Sequence, residues 1–195
     1  MAYIGATPTP IPLTATDIPD LPATKITSGT FPALNGSNLT NIDAGKVLQV
    51  VQTNYSGATS FAYDSTFGDI DVFDTSITPS STSSKILVIF HINLSTSNLA
   101  YTKIRRGTTD IAIGDAASSR IRGTTGHGSY SGDTNRSFTY SATFLDSPSS
   151  TSQLDYNIQG YCETSNTTYI NRSANDPDSD TGYRMVSSLT LMEIA

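Results

Sequence analysis

From Ser137 to Leu145 the chain alternates strictly: Phe138, Tyr140, Ala142 and Phe144 fall on one side, Ser137, Thr139, Ser141 and Thr143 on the other. Leu154, Tyr156, Ile158, Gly160 and Cys162 repeat the pattern against Gln153, Asp155, Asn157, Gln159 and Tyr161. Successive side chains of a strand point to opposite faces, so both segments are predicted to be half-buried antiparallel strands. The run Lys85-Ile86-Leu87-Val88-Ile89-Phe90-His91-Ile92 is apolar on both faces and belongs in the middle of a sheet. Further strands are expected at 46–53, 69–75, 100–105, 110–114, 167–172 and 184–194, where β-branched and aromatic residues are bounded by Ser, Gly, Asn and Asp. No helical periodicity is sustained. About nine or ten short strands predict a mainly β chain folded as an antiparallel β-sandwich or jelly roll, with helix almost absent.

The first 45 residues read differently. Six of the nine prolines stand at positions 8, 10, 12, 19, 22 and 32, and each removes a backbone donor and fixes φ, so neither helix nor central strand is expected there. Apolar residues are nevertheless regularly placed, among them Ile26, Phe31, Leu34, Leu39 and Ile42. An extended segment cannot bury them against itself; three copies wound about one axis can. The expected organisation is an extended virion-attachment segment over 1–20, an intertwined trimeric shaft over 21–45 and a β-sandwich head over 46–195. In the first segment Tyr3 and Ile4, followed by Pro8, Pro10, Ile11 and Pro12, form a stiff polyproline-like stretch that loses little entropy on docking. The competing reading of the whole leader is a flexible tail.

Composition narrows the function. Of 195 residues, 56 are Ser or Thr, whereas only 14% are charged, against about 25% in ordinary domains. The surface is therefore expected to be covered by hydroxyls and amides. A net charge of -6 argues against nucleic acid as a partner. The longest apolar stretch, Ile86 to Phe90, is far short of the roughly 20 residues that span a bilayer, so no membrane insertion is expected. The first residues lack the basic and apolar regions of a signal peptide, which points to release into the cytoplasm of the producing cell. A single cysteine, Cys162, excludes an internal disulfide.

Four stretches carry a resemblance. Leu21-Pro22-Ala23-Thr24-Lys25-Ile26-Thr27-Ser28-Gly29-Thr30-Phe31-Pro32-Ala33-Leu34-Asn35-Gly36-Ser37-Asn38-Leu39-Thr40-Asn41-Ile42 resembles the short repeats in bacteriophage tail-fibre shafts. Gly45 to Val51, Ile77 to Val88 and Ser188 to Ala195 are similar to a domain at the C-termini of predicted fibres of marine and cyanobacterial phages. The resemblance implies a homotrimeric virion protein, assembled in the host cytoplasm, with an N-terminal attachment to other phage virion proteins. It also implies a jelly-roll head like the tumour-necrosis-factor and complement globular-head fold, acting as a tail-fibre receptor-binding protein. The alternatives are a capsid decoration or head-fibre protein, and a small glycan-cleaving tail spike.

Candidate chemistry is sparse. The histidines are His91, on an apolar strand, and His127, in a Gly-His-Gly loop too free to position a base. His91 reads as a satisfied core or interface residue, with a metal or anion at a threefold axis as the sharper alternative. No nucleophile elbow is present, and Glu163 and Glu193 are the only glutamates, so the chain is expected not to be an enzyme. Asp176, Asp178 and Asp180 alternate as hard oxygen ligands for Ca2+ do, yet Gly182 falls one place late for an EF-hand loop and the distal ligand position is Ser187. A solvated turn competes with that site, and no other cofactor is expected. Arg120 and Arg122 belong to a basic cluster suited to acidic sugars or lipopolysaccharide phosphates, or to inter-subunit ion pairs. Tyr130, Tyr161, Tyr169 and Tyr183, near Asn166, Asn171 and Asn175, form a candidate platform for host surface polysaccharide, rings stacking on pyranose faces while amides bond hydroxyls.

Overall fold

A computed structural model describes residues 46–127, 136–163 and 165–195. The leader positions Tyr3, Ile4, Pro8, Pro10, Ile11, Pro12, Ile26, Phe31, Leu34, Leu39 and Ile42 and the platform residue Tyr130 lie outside them. The described residues form β1 (Val47–Tyr55), β2 (Thr59–Phe61), β3 (Phe67–Asp69), β4 (Thr75–Ile77), β5 (Lys85–Ser95) and β6 (Ala100–Arg106). These are followed by β7 (Thr109–Ile111), β8 (Thr125–His127), β9 (Phe138–Asp146), β10 (Leu154–Cys162), β11 (Thr168–Ile170) and β12 (Ser187–Ile194).

All pairings are antiparallel and follow one rule. The first run, β1, pairs with the last, β12; β3 and β4 lie along β10; β5 pairs with β9; β6 pairs with β7 and β8. This is a long hairpin folded over on itself, the path of a jelly roll. The first sheet runs β1-β12-β5-β9, with β11 continuing beside β5 and β2 beyond it. The second runs β3/β4-β10-β6-β7/β8.

The alternation read from the sequence sets the facing. Ile86, Val88, Phe90, Ile92 and Leu94 of β5 point inward beside Leu189 and Leu191 of β12, opposite Ile104, Tyr156 and Ile158 of the second sheet. Burying these faces is the main driving force of the fold. The apolar run 85–92 is central, paired on both sides by β9 and β12. Close approach matters at Gly160, where a Cβ would sit 2.6 Å from the Phe61 ring that closes one end of the core.

The strand expected at 69–75 is instead broken: a 3-10 turn over Asp71–Phe73 separates β3 from β4. The turn lets both Ile70 and Phe73 face inward, which strict alternation forbids. The three-residue strands β2 and β8 were not anticipated, because three residues carry too little pattern.

Two pins hold the end where the chain enters, here called the base. The Asp146 carboxylate of β9 accepts hydrogen bonds from Arg106 of β6 and, at 2.7 Å, from the Tyr156 hydroxyl of β10, tying the sheets together. Burial and the Asp146 bond push the Tyr156 hydroxyl far above its ordinary pKa. The buried carboxylate of Glu193 accepts from the Ser80 backbone N–H at 2.7 Å, the Ser80 hydroxyl at 2.6 Å and Gln49 Nε2 at 2.7 Å. Burial alone raises its pKa, but these donors override it and hold the group at about 2.

Because the folded pKa lies below the ordinary 4.5, ionised Glu193 adds stability that is complete above pH 4.5 and fades as pH falls toward 2. Thermal melts of the wild type and Glu193→Gln should therefore differ most above pH 4.5 and converge toward pH 2. Parallel melting curves across that range contradict the pin.

Candidate functional site

The folded-over hairpin separates the molecule's two ends. Lys46 and Ala195 meet at the base, where the Ala195 N–H donates to the Lys46 carbonyl at 3.0 Å. The connections 56–58, 62–66 and 96–99, the described residues of 163–167, and 171–186 all lie at the opposite, apical end, as strand directions and register require. Among the described residues, five of the eight non-glycine positions with positive φ are here: Asp64, Ser65, Ser165, Asn171 and Asp176. Backbone held in this sparsely populated region concentrates at functional loops.

Asn171 orders the longest of these connections. It is fully buried, with φ of 60°, a conformation Asn tolerates better than most residues. Its Nδ2 donates to the carbonyls of Tyr55 at 2.8 Å and Gly57 at 3.0 Å, and its Oδ1 accepts from the Ser187 hydroxyl at 2.6 Å. Its backbone N–H donates to the Asn93 carbonyl at 3.1 Å, and its own carbonyl accepts from the Met185 N–H at 3.0 Å. Asn93 extends the network, donating from Nδ2 to the Val186 carbonyl and accepting from the Thr139 hydroxyl, both at 2.6 Å. A sugar-binding role expected for the Asn171 amide is therefore corrected: both ends of the amide are committed inside the protein.

Two polar clefts lie in the loops so held. One, about 260 Å³, is lined by Ser97, Ser165, Asn166, Thr167, Tyr169, Ala174 and Asn175. The guanidinium of Arg172 sits 4.2 Å from the centre of the Tyr169 ring, a cation–π contact that steadies the ring. The other, about 450 Å³, is lined by Asp176, Pro177, Asp178, Ser179, Gly182, Tyr183 and Arg184. Asp176 joins the clefts, pairing with Arg184 and, at 3.5 Å, with Arg172. The hydrogen bond from Arg184 holds the Asp176 carboxyl below its ordinary pKa. The Tyr183 hydroxyl is buried without a protein partner among the described residues.

The structure thus brings together Tyr169, Asn166 and Asn175, and places Tyr183 in the adjacent cleft, but scatters the other candidates. Tyr161 lies on the outer face of the second sheet, in a cross-strand row between Phe67 at 5.4 Å and Tyr101 at 5.7 Å. Arg120 and Arg122 bond carbonyls of their own connection, Ala117 and Gly114. Asp176 is paired with arginines instead of converging with Asp178 and Asp180, and among the described residues no group of three or more acidic, His or Cys side chains is placed to hold a metal ion.

His127 is not in a free loop. It forms part of β8, stacks on Phe138 at 4.7 Å and Tyr140 at 5.7 Å, and uses both ring nitrogens. Nε2 faces the Asn98 carbonyl at 2.8 Å, which only accepts, so Nε2 carries the proton and Nδ1 accepts from the Tyr140 hydroxyl. Burial lowers its pKa. His91 stands on the outer face of the first sheet and is likewise engaged, by the Val186 carbonyl at 3.0 Å and the Ser188 hydroxyl at 3.1 Å.

No protein-family model and no curated protein sequence matches the chain. Among solved structures it is similar to the "Structure of infectious bursal disease virus Gx strain", at 10% identity and a TM-score of 0.38, over 84% of this chain and 44% of that one. The chain thus spans less than half of that neighbour's length.

Removing the Asn171 amide takes the donor from the part-buried carbonyls of Tyr55 and Gly57 and the acceptor from the buried Ser187 hydroxyl, at about 1–3 kcal/mol for a buried group left unsatisfied. Asn171→Ala is expected to lower stability by about 3 kcal/mol in chemical denaturation, with the 171–186 connection losing hydrogen-exchange protection before the strands do. Unchanged protection there would show that the loop is ordered by something else.

Proposed function

We propose that this chain is a structural virion component, a phage tail-fibre or receptor-binding protein. In this reading it assembles as a homotrimer, attaches to other virion proteins through residues 1–20 and contacts host surface glycans with its apical loops. The observation that carries the reading is the polarity of the jelly roll. The chain enters at the base, whereas the Tyr169 cleft and its strained loops stand at the far end. A fibre that must be anchored at one end and touch a surface at the other requires that separation.

The cleft chemistry supports a glycan as the ligand. Ser97, Asn166 and Asn175 supply hydroxyl and amide groups beside an aromatic ring, the combination that bonds sugar hydroxyls and stacks on a pyranose face. Small, mostly polar clefts of this kind suit weak, repeated contacts, which a trimer multiplies through avidity. Binding without catalysis is supported by the histidines, whose ring nitrogens are all engaged within the protein.

Light scattering of the full chain is expected to give three times the 20.7 kDa chain mass. In calorimetric titration with host surface polysaccharide, Tyr169→Ala should weaken binding at least tenfold, about 1.4 kcal/mol, with an unchanged melting temperature. Equal affinity in variant and wild type would falsify the cleft assignment. Release of reducing ends during the titration would instead favour the glycan-cleaving spike.

A further inference from the structure

The two outer faces of the sandwich differ sharply in chemistry. The second sheet carries Asp69, Lys103, Arg105, Asp110 and Asp155 outward, with Lys103 and Arg105 paired to Asp110. Across β1, β12, β5 and β9 the outer face of the first sheet carries one formal charge, Lys85 at its basal margin.

That face is apolar at its base. The ladders place Val50 beside Met192, Met192 beside Leu87 and Leu87 beside Leu145, a continuous row over four strands. Val50 is 55% exposed and Leu145 46%. Four of the seven exposed large hydrophobics among the described residues, Val47, Leu48, Val50 and Leu145, lie in or next to this row. Above it the face becomes more polar: Gln52, Thr190 and Thr143 lie in one row with Ile89, and Ser188 and Ser141 flank His91 in the next. An apolar patch crossing a whole sheet, bordered toward the apex by neutral side chains and carrying lysines only at its basal margin, has the make-up of a protein–protein interface core.

We infer that the basal half of this face is where neighbouring copies of the chain pack against one another. The position of the patch argues for copies of the same chain. Residues 1–45 join the sandwich at Lys46, at the margin of the row, so copies gathered along their leaders are delivered to each other at this face. The scarcity of charge argues likewise. Identical faces meeting near an axis bring together only the marginal lysines, whereas the second sheet's face would set several charged side chains of each sign against their own copies. The inference rests on the homotrimer reading and adds the surface that builds it. It also directs the charged face of the second sheet outward and keeps the apical clefts clear of the contact.

The test uses the full chain. Val50→Lys with Leu145→Lys changes two exposed positions, so the fold should persist, as a retained melting transition would confirm; Ser152→Lys, in an exposed connection off the face, is the control. Loss of assembly mass, or at least a tenfold rise in the concentration needed for assembly, in the double variant but not the control supports the inference. Val50→Cys with Leu145→Cys supplies a nearly isosteric second arm, because the native Cys162 is fully buried: oxidation should link copies covalently. Normal assembly of the lysine variant without cross-linking of the cysteine variant overturns the assigned face and leaves the trimer standing. A wild type that is monomeric at micromolar concentration overturns the homotrimer and this inference together.

Discussion

A chain this poor in ions must satisfy most of its buried polar groups with neutral hydroxyls and amides, and that constraint organises the structure. Asn171, Asn93, Ser187 and Thr139 close one another's hydrogen bonds at the apical end without a charged partner. Glu193 is buried as a carboxylate, yet it is held by neutral donors, the Ser80 N–H and hydroxyl and the Gln49 amide. The Asp146–Arg106 pair brings opposite charges together between the sheets. Many of the 56 hydroxyl residues that seemed destined for the surface are consequently interior: Thr75, Thr102, Thr168, Ser173 and Ser187 are all buried. Neutral networks depend on geometry more than on long-range attraction, so each holds only while its backbone neighbours are in place.

How much of this was legible in the chain depended on distance. The facing of β9 and β10 was readable because a period of two is a local property, and five or more residues displayed it. The central place of β5 followed from a run with no polar face. The break between β3 and β4 was not legible: whether Phe73 turns inward depends on space beside Tyr55, a partner 18 positions away with its ring centroid at 6.2 Å. His127 looked unconstrained because its flanking glycines are visible in sequence, while the Tyr140 hydroxyl and Asn98 carbonyl that fix it are not.

The site divided along the same line. Tyr169 and Asn175 stand within a few positions of each other, and composition alone suggested their kinship with Asn166. Asn171, in the middle of the same segment, looked equivalent to its neighbours. Its carbonyl partners at Tyr55 and Gly57 lie 116 and 114 positions earlier, so nothing local distinguished a buried pin from an exposed ligand. Arg120 and Arg122 were grouped with the tyrosines by charge logic, but their own connection supplies the carbonyls that bind them.

The rolled hairpin converts these local facts into a directional molecule. Because the first strand pairs with the last, Lys46 and Ala195 are both forced to the base, and the long β11–β12 connection is forced to the far end. The first sheet's outer face has its apolar row at the base and its hydroxyls toward the apex, so the surface suited to burial lies next to the entering chain. The reverse arrangement would put apolar side chains beside the polar clefts and leave the base with nothing to pack. In the proposed oligomer, contact at the base would free the apical loops of any duty to cover hydrophobic surface. Their residues can then accept positive φ, as Asp64, Ser65, Ser165, Asn171 and Asp176 do.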